Sequence, residues 1–155
     1  MKRQMILAIL LTAGSALAVE ISGTISSTLT IPVDSALTGD VTCRVQGAPC
    51  IRVEASNMTL RLNGFTITGQ GEPPDGCVPG GFTTNLEHAI KVTGQQRVEL
   101  LGPGIVQRAR GWGIFLGGNT TLSAVKEITI SSNCLSGLQL TLKPMHVIRR
   151  GVATG

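Results

Sequence analysis

Apolar and polar residues alternate with period two through much of the chain. Ile51-Arg52-Val53 alternates, and so do Met58-Thr59-Leu60-Arg61-Leu62 and Phe65-Thr66-Ile67-Thr68. No segment sustains a 3.6-residue apolar period, so the pattern predicts strands and no helices. Ser56-Asn57 and Asn63-Gly64 stand between these strands. Both pairs are turn formers, because Asn and Gly accept backbone conformations that other residues avoid. Three short strands and two tight turns between residues 51 and 68 are the content of one coil of a solenoid.

The same content recurs. Ile90-Lys91-Val92, Ile114-Phe115-Leu116 and Leu138-Gln139-Leu140 share an apolar-any-apolar pattern, with starts spaced 24 residues apart twice in succession. Second strands are predicted at Arg97–Leu100 and His146–Arg149, and third strands at Ile105–Gln107 and Ile128–Ile130. Ile51 precedes Ile90 by 39 residues, and the excess of 15 matches residues 70–84, a Gly/Pro-rich insertion. A solenoid tolerates such an insertion because it leaves the stack without disturbing the core. A sandwich or barrel is the competing reading, but it would favour two-residue hairpins. Recurrence at a fixed period favours an all-β parallel β-helix of about four coils over residues 41–155.

Stacking fixes which side chains meet. One interior column is expected to hold Ile51, Ile90, Ile114 and Leu138, and a second Val53, Val92, Leu116 and Leu140. Arg52, Lys91, Phe115 and Gln139 then point outward, and Arg61 is expected to fall over Glu99. Asn63 and Asn133 mark strand-end turns. Residues 19–40, with Ile21, Ile25, Leu29 and Ile31, are expected to cap the first open end. The region from Leu138 to Ile148 would leave an open C-terminal edge. That edge implies either truncation of a longer product or cover by a second protein chain.

The run from Asp40-Val41-Thr42-Cys43 to Gly69 carries a resemblance. It includes Cys50-Ile51-Arg52-Val53 and Leu60-Arg61-Leu62-Asn63-Gly64-Phe65-Thr66-Ile67-Thr68-Gly69. It resembles the right-handed parallel β-helix repeat proteins of the broad pectin-lyase-like superfamily, and the likeness extends over roughly residues 40–155. The resemblance implies a right-handed coil and leaves the activity open. Members include polysaccharide lyases and hydrolases, periplasmic proteins linked to copper-site maturation, and surface adhesins.

The N-terminus changes the picture of location. Met1-Lys2-Arg3 is a positive start, Met5 to Leu11 is an apolar run, and Ala16-Leu17-Ala18 supplies small residues for cleavage. These are the three parts of a secretory signal over residues 1–18. The run is too short to span a bilayer, which needs roughly 20 residues, so no membrane span is expected. The expected location is periplasmic or extracellular. Of the net charge of +4, two charges belong to Lys2 and Arg3. The remainder gives no reason to expect nucleic-acid binding, which needs clustered basic charge. All four cysteines follow residue 18, and an even count in an exported chain permits disulfides. Cys43 and Cys50 flank a short Gly-Ala-Pro turn and are the favoured pair, although three pairings are open. Zinc is disfavoured, since Cys-x-x-Cys is absent and His88 and His146 lie far from the cysteines in sequence.

Candidate chemistry is sparse. Lyases of the resembling family hold Ca²⁺ on clustered carboxylates, and hydrolases pair aspartates on one face. Here Asp34, Asp40 and Asp75 are widely separated in sequence. The Arg108-Ala109-Arg110 turn could grip an anionic sugar, and Glu87-His88, just before a strand, could serve acid–base chemistry. Insertion 70–84 could shape a groove. Asn57-Met58-Thr59 and Asn119-Thr120-Thr121 fit the glycosylation pattern. Aromatics are few, with one Trp, three Phe and no Tyr, which argues against a dedicated carbohydrate-binding module. No cofactor and no metal are expected. The sequence favours a secreted, non-catalytic binding or surface scaffold, with polysaccharide as a candidate partner. The alternative is the N-terminal part of a lyase or hydrolase acting on acidic polysaccharide. A metal-maturation role lacks any Met or His cluster suited to copper.

Overall fold

The computed structural model describes residues 18–71, 77, 86–141, 148–151 and 153–154. The leader expected at 1–18 therefore lies almost wholly outside the described residues, as do Asp75, His146 and most of insertion 70–84.

The fold is all-β, and every paired strand runs parallel to its neighbours. Its strands are β1 (Val19–Ile25), β2 (Leu29–Ile31), β3 (Ser35–Cys43), β4 (Ile51–Val53), β5 (Thr59–Arg61), β6 (Thr66–Thr68) and β7 (Ile90–Thr93). They continue as β8 (Glu99–Gln107), β9 (Ile114–Gly117), β10 (Ala124–Ser131), β11 (Leu138–Leu140), β12 (Ile148–Arg150) and β13 (Ala153–Thr154). The first sheet has the order β1-β3-β5-β8-β10-β12, with β6 between β3 and β8 and β13 beside β10. The second sheet has the order β2-β4-β7-β9-β11. Parallel neighbours cannot be joined by a tight hairpin, so the chain must travel away and return between them.

The second sheet keeps one register throughout. Leu29, Ile51, Ile90, Ile114 and Leu138 form one column. Ile31, Val53, Val92, Leu116 and Leu140 form the other. These are the expected columns, each extended by a residue of β2. Period-two alternation sends Thr30, Arg52, Lys91, Phe115 and Gln139 to the opposite face. The inward side chains join Leu37, Val41, Leu60, Leu100, Val106, Ile128 and Ile130 of the first sheet in a single core. Ile31, Ile51, Ile90 and Ile114 are fully buried within it. Each such aliphatic side chain contributes roughly 1.5–3 kcal/mol on transfer from water, an upper figure because the unfolded chain is not fully extended.

The first sheet is less regular. Its register shifts between Ile21 and Gly23 where β1 meets β3, and between Lys126 and Ile128 where β10 meets β8. The separate strands expected at 97–100 and 105–107 run together as β8, and β10 is likewise continuous. At the second shift Glu127 takes a left-handed backbone with φ of 57°, and Gly102 lies against it. A Cβ on Gly102 would run into the Glu127 carbonyl, so only glycine fits.

The register also corrects a pairing. Thr59, not Arg61, faces Glu99, and Arg61 faces Leu101. The expected register was two residues out, and Glu99 instead accepts from Lys126 Nζ at 2.8 Å. Asp34 and Asp40 cap strand starts on the next layer. Asp34 Oδ1 accepts from the Thr59 N–H and Asp40 Oδ1 from the Thr66 N–H, both at 2.8 Å. Asp40 lies within β3.

Turns stack as the strands do. Asn57, Arg97 and Leu122 occupy successive layers with φ between 52° and 57°, linked by Asn57 N–H to the Gln96 carbonyl and Arg97 N–H to the Thr121 carbonyl. Asn63 has the left-handed backbone expected of it. Asn133 does not; Ser132 takes that conformation, and Asn133 Oδ1 accepts from the Ala109 N–H at 2.9 Å. Residues 19–40, expected as a cap, hold β1, β2 and most of β3, the first strands of both sheets. Cys43 is bonded to Cys50, and Cys77 to Cys134 across a sequence separation of 57. Among the described residues no helix is long and apolar enough to cross a membrane.

Candidate functional site

Glu87 and His88 precede β7, and Arg110 and Trp112 lie in the link from β8 to β9. Because β7 and β9 pair in register, these two links stack. The Gly111 N–H donates to the Glu87 carbonyl at 3.0 Å, and the Ala89 N–H to the Trp112 carbonyl at 3.2 Å. Glu87, His88 and Arg110 are thus brought together.

Both oxygens of Glu87 are engaged. Oε1 accepts from the Gly47 N–H at 2.8 Å, and Oε2 from Arg110 Nε at 2.6 Å. The carboxylate is buried, where a paired, hydrogen-bonded charge is tolerated and an isolated one is not. Arg108 follows β8 with a left-handed backbone, φ of 55°, while Arg110, two residues on, reaches Glu87.

His88 is 2% exposed. Its Nδ1 accepts from the Trp112 N–H at 3.3 Å, which requires a neutral ring with the proton on Nε2. Burial, and next the nearby Lys91 ammonium, push its pKa down to about 4. A buried ring held neutral against an internal donor is a packing element. Glu87 and His88 therefore both help build this platform.

Three rings meet here. His88 stacks on Phe115 with centroids 4.9 Å apart and planes 9° apart. Trp112 tilts against both, 5.1 Å from His88 and 5.3 Å from Phe115. The Lys91 ammonium lies 5.6 Å from the centre of the Phe115 ring, within cation–π range. Glycine makes the arrangement possible, since the Phe115 ring edge occupies the space that a Cβ on Gly117 would need. Trp112 and Phe115 remain partly exposed. The outward side thus presents partly exposed aromatic surface with an ammonium over the Phe115 ring.

Trp112, Phe115 and Lys91 were not among the candidates named from sequence. Phe115 carried the available signal: an aromatic residue at the outward position of a strand triplet whose counterparts are Arg52, Lys91 and Gln139. Trp112 carried none, because only the stacking of two links brings it to Phe115 and His88. Among the described residues no group of His, Cys, Asp or Glu side chains converges to hold a metal. Comparison with protein-family models, curated proteins and solved structures finds no match.

Proposed function

We propose that the chain is an exported right-handed parallel β-helix that acts as a non-catalytic binding or surface scaffold. The observation that carries this reading is the use of the carboxylates. Glu87, Asp34, Asp40 and Glu99 each hold a partner from another layer. Groups that fix the stack in this way are poor candidates for carrying protons or calcium at a surface. The coil reading is supported by registers that recur about every 24 residues in both sheets. Right-handed winding follows from the strong preference of parallel crossovers for that hand. Two disulfides support export, since such bonds persist in oxidising compartments.

The test is to incubate the purified protein with acidic and neutral polysaccharides, following both retention and breakdown. Retention without new reducing ends or unsaturated uronate is expected. Release of either product would replace the scaffold reading with a polysaccharide-degrading enzyme. Weighing the protein recovered outside the cytoplasm tests export, with a mass lacking residues 1–18 expected. An experimental structure with left-handed crossovers would overturn the coil assignment.

A further inference from the structure

We infer that the corner where the β1–β2 link meets the β3–β4 link is a binding site for a phosphate group that keeps a proton, as free phosphate or a phosphate monoester. Its donors are Ser26, Ser27, Arg44 and Gln46, and its acceptor is Thr28. The inference goes beyond the scaffold reading and holds for a scaffold and an enzyme alike.

Ser26-Ser27-Thr28 links β1 to β2, and residues 44–50 link β3 to β4. The Arg44 N–H donates to the Ile25 carbonyl and Thr28 Oγ1 to the Pro49 carbonyl, both at 2.7 Å, so the two links stack. Together they line an open cavity of about 450 Å³, and no carboxylate is among its lining residues. That volume lies in the range of small-molecule sites.

The second link is fixed along its length. The Cys43–Cys50 disulfide closes its ends. The Gly47 N–H donates to Glu87 Oε1 at 2.8 Å, and Gln70 Nε2 donates to the Val45 carbonyl at 3.0 Å. Cys43 and Val45 turn inward and are buried, which sends Arg44 and Gln46 outward. The side chains of Ser26, Ser27, Arg44 and Gln46 are exposed and make no hydrogen bond or ion pair among the described residues. A fixed backbone around unused donors lowers the ordering cost of binding.

The donors select an oxyanion. The Arg44 guanidinium presents a planar fork matched to acid oxygens, and two hydroxyls and an amide add further donors. Thr28 narrows the class. Its proton is committed to the Pro49 carbonyl, so towards the cavity its oxygen can only accept. A phosphate with a P–OH group can donate to it. A sulfate ester, a phosphodiester and an ionised carboxylate have no proton to give. That distinction disfavours nucleic-acid backbones and diester lipid headgroups.

The test is calorimetric titration of the full chain at pH 5.5, below the second phosphate pKa of about 6. The probes are glycerol phosphate, inorganic phosphate, methyl sulfate and dimethyl phosphate. At that pH all four are mainly singly charged, so preference reports the P–OH group and not charge. Saturable binding of at least one of the first two is expected, about tenfold tighter than either of the others. Whichever of the first two binds tighter names the source of the phosphate. Arg44→Gln is expected to weaken phosphate binding about tenfold or more, the loss of a charge-assisted hydrogen bond. Thr28→Val is expected to bring phosphate down to the methyl sulfate level, and Thr28→Ser to keep the preference. Should Thr28→Val fail to melt cooperatively, Arg44→Gln and the parent's preference among the probes still decide the matter.

No saturable binding of either phosphate, or unaltered binding in Arg44→Gln, would overturn the site. Methyl sulfate or dimethyl phosphate bound as tightly as phosphate would overturn the ligand class.

Discussion

The two sheets solve the same stacking problem differently. In the second sheet, strands of three or four residues repeat one register from β2 to β11 without a shift. In the first, strands of up to nine residues bend through register shifts at Gly23 and Glu127. The second sheet satisfies its core with two aliphatic columns, which leaves the outward residues free to vary. Its outward face accordingly carries threonine, cations, an aromatic ring and an amide in turn. The first sheet turns corners within continuous strands, and its constraints fall on the backbone. Regularity frees the outward side chains to vary, and bending restricts which residues fit.

If that contrast holds, the largest effect should come from a backbone position at a bend. Gly102→Ala would drive a Cβ into the Glu127 carbonyl. A loss of about 4 kcal/mol or outright failure to fold is expected, at the upper end for single substitutions. The matched change beside the second sheet is Gly94→Ala. Gly94 has φ of 70°, and a Cβ there would come 3.3 Å from the Gly118 carbonyl, so about 1–2 kcal/mol is expected from the left-handed backbone. Denaturant unfolding of the two variants measures the difference, and equal losses would dissolve the contrast between the sheets.

Side-chain truncation ranks next and tests the second sheet along its length. Ile90→Ala, fully buried in mid-column, should cost about 3–4 kcal/mol. Leu138→Ala, only partly buried, should cost about half as much if burial sets the scale. A larger loss at Leu138 than at Ile90 would show that the column is not uniform in the way its register implies.

The same contrast explains what the sequence made legible. The 24-residue spacing was readable because the second sheet has no insertions within its strands, and both interior columns follow from it. Insertion 70–84 was readable as the excess between Ile51 and Ile90. The first sheet hid its strands, because Gly102-Pro103 looks like a break and Glu127 gives no sign of a left-handed backbone. The Arg61–Glu99 pairing went wrong for that reason: matching strand to strand needs the length of the intervening turn, and its residues do not state it. Glu87, His88 and Arg110 were visible as residue types. Their roles were not, because the Gly47 N–H and the Trp112 N–H that engage them come from other parts of the chain. The aromatic platform exists only through pairing of β7 with β9.

Acid should act on the platform link rather than on the aliphatic columns. Unfolded histidine titrates near 6.5, whereas His88 in the fold titrates near 4. Between these values the unfolded chain takes up a proton that the folded chain refuses, so stability falls as pH drops from about 6.5 towards 4. Below about 4 this group adds no further loss. The gap corresponds to about 3 kcal/mol at full effect. Carboxylates also titrate in this range, so the measurement is the difference between the parent protein and His88→Asn. The variant replaces the ring with a group that does not titrate and can still accept the Trp112 N–H. Unfolding free energies at pH 7, 5.5 and 4 should converge as pH falls. A constant difference would mean that His88 takes up its proton freely in the fold.

The smallest effect should come from ion pairs on the outward faces. Lys126 and Glu99 meet at 2.8 Å, but their side chains are 34% and 43% exposed. Water screens such a pair, and holding two long side chains together costs rotamer freedom, so Lys126→Ala should cost only about 0.5 kcal/mol. Arg52 and Glu54 are longer-paired at 3.5 Å and more exposed. Arg52→Ala should therefore lie near zero, or slightly favour the fold by removing the cation opposite Lys91. A double-mutant cycle on each pair, repeated at low and high salt, measures these values. Stabilisation by Arg52→Ala that fades as salt rises would show that the fold tolerates charge repulsion on this column. A clear loss on the same substitution would instead make Arg52 a stabilising element and leave Lys91 as the column's single uncompensated charge.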